Sequence, residues 1–141
     1  MPNKYSVLFL FFTLICIVNV SADNVNFTLE ITGINVNEGQ IHVRIYSNER
    51  DYRRDVPYLS LILESSSQII IHRFDIMEGE YLFALFQDTN NNGQLDTNLF
   101  GFPREPVGLS RYTGGIPGGF NRHKFQINNN SNRITINMGR V

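Results

Sequence analysis

The chain has 141 residues, with 12 lysines or arginines against 13 aspartates or glutamates, and its formal net charge is -1. This length fits a single domain, and the near-neutral charge argues against nucleic acids and anionic membranes as electrostatic partners. The 11 phenylalanines and six tyrosines are too many aromatic residues for a disordered chain. The composition therefore predicts one folded domain with a modest core.

The N-terminus has the pattern of a signal peptide over residues 1–22. Lys4 gives a positive start, residues 6–18 are an apolar run, and Val20-Ser21-Ala22 supplies the small residues of a cleavage site. We expect cleavage after residue 22, a secreted or periplasmic protein without a transmembrane segment, and one domain over residues 23–141. An uncleaved anchor is the alternative, although the run is shorter than the ~20 residues of a membrane span.

The single cysteine, Cys16, lies inside this segment. If the signal peptide is removed, the exported protein has no thiol and no disulfide. Thiol catalysis, cysteine-ligated zinc and a disulfide-stapled fold are then excluded.

Alternating apolar and polar residues predict strands along most of the remaining chain. Residues 81–86 are continuously apolar, which indicates a strand in the middle of a sheet. No segment has a sustained helical stripe. About seven short strands predict an all-β fold, an antiparallel β-sandwich of immunoglobulin-like or prealbumin-like type. The predicted strands are residues 25–32, 41–46, 58–63, 68–74, 81–86, 124–127 and 133–138.

Two segments do not follow this alternation. Residues 47–57 carry charges of both signs and are predicted to form a solvated loop in which these charges compensate one another. Residues 88–120 hold most of the 11 glycines, and so long a connection is uncommon unless it is functional or disordered. Its apolar residues argue against disorder. We therefore expect Phe100, Phe102 and Leu109 to pack back onto the edge of the sandwich.

The start of this long segment has the spacing of a calcium loop. Oxygen-bearing side chains occupy the first, third, fifth and ninth positions of residues 88–96, and a glycine occupies the sixth, where the chain must turn sharply. The loop departs from an EF-hand because Leu99 replaces the final glutamate. The alternative is a polar turn closed by its own hydrogen bonds, without an ion. The predicted calcium ligands are Asp88, Asn90, Asn92, Gln94 through its backbone carbonyl, Asp96 and, if the loop folds back, Glu105.

Three patterns stand in order along the chain. They are Gly79-Glu80-Tyr81, the loop of residues 88–96, and residues 101–110, which read G-x-P-x-E-x-x-G-x-S. Together they resemble a family of small exported bacterial proteins known only as a domain of unknown function (number 2141). The resemblance extends over nearly all of the chain after residue 22. It implies an exported β-sandwich and no particular activity. Residues 113–119 are more glycine-rich than the family pattern.

The sequence is compatible with two functions. The first is a non-enzymatic binding or structural module in which calcium orders residues 88–120 for an unknown protein or glycan at the cell envelope. The second is a hydrolase of cell-envelope carbohydrate with Asp96 or Glu105 as its acid or base. We favour the first, because no nucleophile or base with an orienting partner can be assembled from the sequence. The residues predicted to contact the partner are Arg104, Arg111 and Tyr112.

Overall fold

The computed structural model describes residues 23–140, which form two packed β-sheets and two short helices. The predicted signal peptide lies outside the described residues. The helices are α1 (Glu49–Arg53) and α2 (Phe120–His123). The strands are β1 (Asn24–Thr32), β2 (Gln40–Tyr46), β3 (Leu59–Glu64), β4 (Ile69–Met77), β5 (Gly79–Asp88), β6 (Val107–Leu109), β7 (Phe125–Ile127) and β8 (Arg133–Asn137).

The predicted all-β sandwich is confirmed. One sheet has the strand order β4-β1-β8, and the other has the order β3-β2-β5-β6, with β7 also paired to β5. Neighbouring strands are antiparallel except for the parallel pair β1 and β8. Strand β5 has neighbours along both edges, which agrees with its continuously apolar sequence. In the described part of the chain, neither helix is long and apolar enough to cross a membrane.

The main core lies between the sheets and is centred on Phe27 of β1, which is fully buried. Its ring packs against Phe74, Phe83 and Phe125, with centroids 5.8, 5.5 and 5.9 Å away. Aromatic pairs at such distances stabilise a core beyond the burial of their area. The period-2 pattern of β1 is what places this ring inward, because alternate side chains of a strand point to opposite faces.

A second, smaller core lies on the outer face of the β3-β2-β5-β6 sheet. It contains Tyr46, Leu82 and Phe120, and Tyr52 and Leu109 pack against it. Helices α1 and α2 supply two of these aromatic rings. Strand β5 is therefore covered on both faces, and its outer face positions the features described below.

The prediction of a plain solvated loop over residues 47–57 is wrong, because α1 lies there. The side chain of Asn48 accepts a hydrogen bond from the backbone N–H of Asp51 at 2.9 Å and so caps the helix. Arg53 Nε donates to Glu49 Oε1 at 2.6 Å, one turn apart. The charges do compensate one another, but they do so along a helix. Strand β6 lies inside the long segment, where the sequence pattern predicts no strand.

Candidate metal loop and the groove beside it

Asp88 is the last residue of β5 and is buried. Its Oδ1 accepts a hydrogen bond from the backbone N–H of Asn92 at 3.0 Å, and its Oδ2 accepts one from Gly93 at 2.7 Å. Gly93 has φ +79°, in the left-handed region that glycine adopts readily. The loop therefore curls back onto the first of the predicted ligands.

The side chains of Asn90, Asn92 and Asp96 converge on one another. Asn90 Nδ2 donates to Asp96 Oδ2 at 2.7 Å, and Asn92 Nδ2 donates to Asp96 Oδ1 at 3.1 Å. The two asparagines also close successive turns, since Asn90 Oδ1 accepts from the N–H of Asn92 and Asn92 Oδ1 from that of Gln94. Gln94 itself is exposed. The structure thus brings together the predicted ligands at the third, fifth and ninth positions.

Glu105 lies behind this loop and holds its two ends together. The side chain is buried, with Oε1 accepting from the backbone N–H of Thr89 at 2.8 Å and from its hydroxyl at 3.1 Å. Its Oε2 accepts from the backbone N–H of Asp96 at 3.1 Å. Both oxygens accept hydrogen bonds from the loop, so Glu105 supports the positions of Thr89 and Asp96.

His42 is a neighbour of the loop that the sequence did not indicate. Its Nε2 lies 3.6 Å from Asp88 Oδ2, and its ring stacks on Phe86 with centroids 4.7 Å apart. The register of β2 against β5 sets Gln40 opposite Asp88 and His42 opposite Phe86. A contact that depends on strand register cannot be read from the spacing within one segment.

Residues 23–140 contain no group of three or more histidine, cysteine, aspartate or glutamate side chains arranged for a metal ion. A cation at this loop would therefore depend on the amide oxygens of Asn90 and Asn92 and on backbone carbonyls, together with Asp88 and Asp96. Such all-oxygen sets suit a hard cation and do not suit zinc or copper.

An apolar groove of about 640 Å³ lies beside the metal loop, on the outer face of the β3-β2-β5-β6 sheet. Ala84 of β5 and Leu109 of β6 line its floor. One wall belongs to the tip of the long segment and includes Phe102 and Pro103. Another part of its lining belongs to the glycine-rich stretch of residues 113–119 and includes Ile116. The long segment thus forms two sides of one concave surface.

The expected packing of the apolar residues in this segment is only partly found. Leu109 packs against the second core, but Phe100 is 86% exposed and Phe102 is 54% exposed. Leu99 is 99% exposed and Ile116 is 85% exposed. The prediction for the two phenylalanines is therefore wrong. The backbone turns tightly around the Asn98 side chain, which accepts from the N–H groups of Phe100 and Phe102, so this tip projects from the sandwich.

The three residues predicted to contact a partner lie in this region. Tyr112 lines the groove, and its hydroxyl donates to the carbonyl of Gly115 at 2.5 Å. Arg111 is exposed, and its Nη1 donates to the carbonyl of Lys124 at 3.2 Å. Arg104 is exposed and follows the lining residue Pro103. The structure brings Tyr112 into the groove wall and leaves both arginines on the adjoining surface.

A buried histidine, which the sequence did not single out, anchors the glycine-rich wall. His123 Nε2 accepts from the backbone N–H of Gly118, and Nδ1 lies 3.1 Å from the carbonyl of Ser110. Since a carbonyl only accepts and a backbone N–H only donates, this pairing requires the proton on Nδ1. The hydroxyl of Ser110 donates to the carbonyl of His123 and accepts from the N–H of Phe83. This wall of the groove is thus tied to β5.

The fold and the loop define an all-β sandwich domain with one long connector built around a buried glutamate. The sequence model of one family, described as an uncharacterized protein conserved in bacteria (DUF2141), matches residues 29–135, and the chain belongs to this family. Neither the curated proteins nor the solved structures gave a match.

Proposed function

We propose that this protein is an exported, non-enzymatic binding module whose loop of residues 88–96 holds a calcium ion. The observation that carries the proposal is that the side chains of Asn90, Asn92 and Asp96 lie together at one point of the loop, joined by amide N–H bonds that an ion-free polar turn also makes. Asp88, buried at the start of the loop, would supply the second carboxylate. Two carboxylates balance the charge of one calcium ion, and neutral oxygens would complete its coordination.

A bound calcium ion would also act on the groove. Arg104 donates its backbone N–H to the carbonyl of Asp96 at 2.8 Å, and Thr97 forms a bridge with Pro103. The metal loop and the groove wall are therefore consecutive parts of one hydrogen-bonded unit. An ion that fixes Asp96 would restrict the wall that contains Pro103.

The contacts of Glu105 support a binding module over a hydrolase. An acid or base must reach a reacting atom in a cleft. Both oxygens of Glu105 instead accept hydrogen bonds from Thr89 and Asp96 inside the loop. The Asp96 carboxylate is bonded by the two asparagine side chains. Holding the loop together explains these contacts without a reaction.

Calcium should raise the melting temperature of the chelator-treated protein. A loop with only two carboxylates suggests a dissociation constant of ~10⁻⁴ to 10⁻³ M. A ligand at 100 times its dissociation constant stabilises the native state by ~2.7 kcal/mol. In a domain of this size that corresponds to a rise of roughly ten degrees, measured by differential scanning calorimetry. Magnesium at the same concentration serves as the control. An unchanged melting temperature in calcium would favour the ion-free polar turn.

Export should leave a chain that begins at Asp23. The expectation rests on Lys4, the apolar run of residues 6–18 and the small residues before the cleavage site. Intact-mass spectrometry of protein recovered from the periplasm or medium of a bacterial host measures it directly. Recovered protein that retains residues 1–22 would contradict cleavage and favour the anchor.

A further inference from the structure

We propose that the apolar groove binds the alkyl chain of a single-chain amphiphile with an anionic head group, of which a fatty acid is the simplest. The proposal rests on the binding function proposed above and names the class of ligand. It needs no metal, because none of the residues that line the groove is a predicted calcium ligand. Its test can therefore fail or succeed independently of the calcium loop.

The size and lining of the groove fit one alkyl chain. Its volume of about 640 Å³ is within the ~300–1,000 Å³ typical of small-molecule sites. Its apolar lining includes Phe102, Pro103, Leu109 and Ile116. A lining of this kind recognises a ligand by apolar contact, and it offers little to the hydroxyl groups of a sugar.

The exposed apolar residues of the two walls are held in place. Ile116 is 85% exposed, yet its loop is tied to the sandwich through Gly118 and the buried side chain of His123. Phe102 is 54% exposed, and its backbone N–H is bonded to the side chain of Asn98. Exposure of these apolar side chains to water does not stabilise the fold. An exposed apolar patch on a fixed backbone is typical of a surface that a ligand covers.

Positive charge at the rim selects the head group. Arg122 Nη1 donates to the carbonyl of the lining residue Ile116 at 3.4 Å, so its guanidinium reaches the backbone of this wall. Arg111 immediately precedes the lining residue Tyr112 and has φ +52°, and its Nη1 donates to the carbonyl of Lys124 at 3.2 Å. Neither arginine forms an ion pair with a carboxylate of residues 23–140. A guanidinium pairs with a carboxylate through two parallel hydrogen bonds.

The carboxylate of Glu49 lies nearby and does not neutralise this rim. It is paired with Arg53 at 2.6 Å. The side chain of Arg53 and, secondarily, the backbone N–H groups of Phe120 and Asn121 hold the pKa of Glu49 below its usual value. Glu49 is thus engaged by α1 and by the start of α2. The hydrogen bonds of Arg111 and Arg122 go to backbone carbonyls, which leaves the charge of both guanidiniums unneutralised.

The test is isothermal titration calorimetry of the purified protein with laurate, below its micellar concentration and in chelator. We expect one site with a micromolar dissociation constant. Dodecanol, which keeps the chain and lacks the charge, should bind at least about tenfold more weakly. Acetate should give no binding. Absence of laurate binding, or equal affinities for laurate and dodecanol, would overturn the proposal.

Two pairs of variants separate the groove from the rest of the surface. Ile116→Asp should weaken both long-chain ligands by at least about tenfold, because it puts a charge in the apolar wall. The matched control is Ile71→Asp on β4, where the isoleucine is 49% exposed on the other sheet. The double variant Arg111→Asn and Arg122→Gln should lower the affinity for laurate to that for dodecanol. Asparagine is chosen because it tolerates a positive φ.

The control for the arginines is Arg73→Ala, also exposed on β4. Losses of the same size in the β4 variants would overturn the site assignment. Vesicles of phosphatidylcholine with phosphatidylglycerol test whether the groove instead contacts a membrane. If they bind the protein, lose that binding in Ile116→Asp and compete with laurate, the surface is a membrane contact and the proposal is wrong. The protein could bind laurate and yet have the same melting temperature with and without calcium. That result would support the ligand site in the groove and contradict only the calcium proposal.

Discussion

Replacing Gly39 by alanine should destabilise the fold by about 3 kcal/mol or more and should also weaken calcium binding. Gly39 lies in the connector before β2 with φ +60°, where any Cβ is strained. A Cβ there would be 1.8 Å from the carbonyl oxygen of Asp88 and 2.9 Å from the Cα of Thr89. Both neighbours are backbone atoms, so the clash can be relieved only by separating the connector before β2 from the start of the loop of residues 88–96. Urea denaturation measures the first effect and calcium titration the second.

Gly114→Ala is the matched control for this prediction. Gly114 also has a positive φ, +99°, but nothing lies within 4 Å of an added Cβ. Alanine there carries only the cost of the backbone conformation, about 1–2 kcal/mol, and the calcium response should not change. If the two variants have the same midpoint and the same calcium affinity, the close approach of Gly39 to Asp88 has no consequence.

The strands were predictable because their signal is local. Phe27 and the residues two positions away from it in β1 face the core, and the alternation of apolar and polar residues that predicts this is visible within a few residues of sequence. The spacing of Asp88, Asn90, Asn92 and Asp96 is also a local signal, because all four residues belong to one short loop. The structure brings the side chains of Asn90, Asn92 and Asp96 together, while Asp88 accepts hydrogen bonds from backbone N–H groups of the loop.

The features that sequence reasoning missed depend on contacts between distant segments. His42 reaches Asp88 through the register of two strands, and His123 reaches Gly118 and Ser110 through the path of the long connector. Helix α1 is too short for an apolar stripe, and the side chain of Asn48 caps it where a loop was also possible. The sequence predicts that Phe100 packs onto the edge of the sandwich, because its apolar neighbours argue against a disordered connector. Its exposure follows from the tight turn around Asn98.

The connector is one hydrogen-bonded unit that contains both the proposed calcium loop and one wall of the groove. Glu105 fixes the ends of the metal loop, and the backbone between Asp96 and Arg104 is closed by its own hydrogen bonds. The wall of the groove therefore cannot move far without disturbing the loop. If calcium binds, the affinity of the groove for its ligand should depend on it, and the same coupling must act in the reverse direction.

Asp88→Asn should reduce calcium affinity by about 100-fold or more, which removes the melting response at millimolar calcium. Both carboxylate oxygens of Asp88 accept backbone N–H groups, from Asn92 and Gly93. An asparagine has one oxygen, so its NH₂ group would face one of these donors. The substitution also removes one of the two negative charges in the loop. Because the side chain is buried, stability without calcium should fall by about 1–3 kcal/mol as well.

Two further variants serve as comparisons for Asp88→Asn. Asp75→Asn makes the same charge change on β4, where the exposed carboxylate accepts from Asn26 Nδ2 at 3.0 Å, and it should leave calcium binding unchanged. Glu105→Gln should weaken binding less than Asp88→Asn does, because Glu105 supports the loop through Thr89 and Asp96. Calcium titration calorimetry ranks the three variants. A loss in Glu105→Gln as large as that in Asp88→Asn would make Glu105 a direct ligand, and an unchanged affinity in Asp88→Asn would remove calcium from this loop.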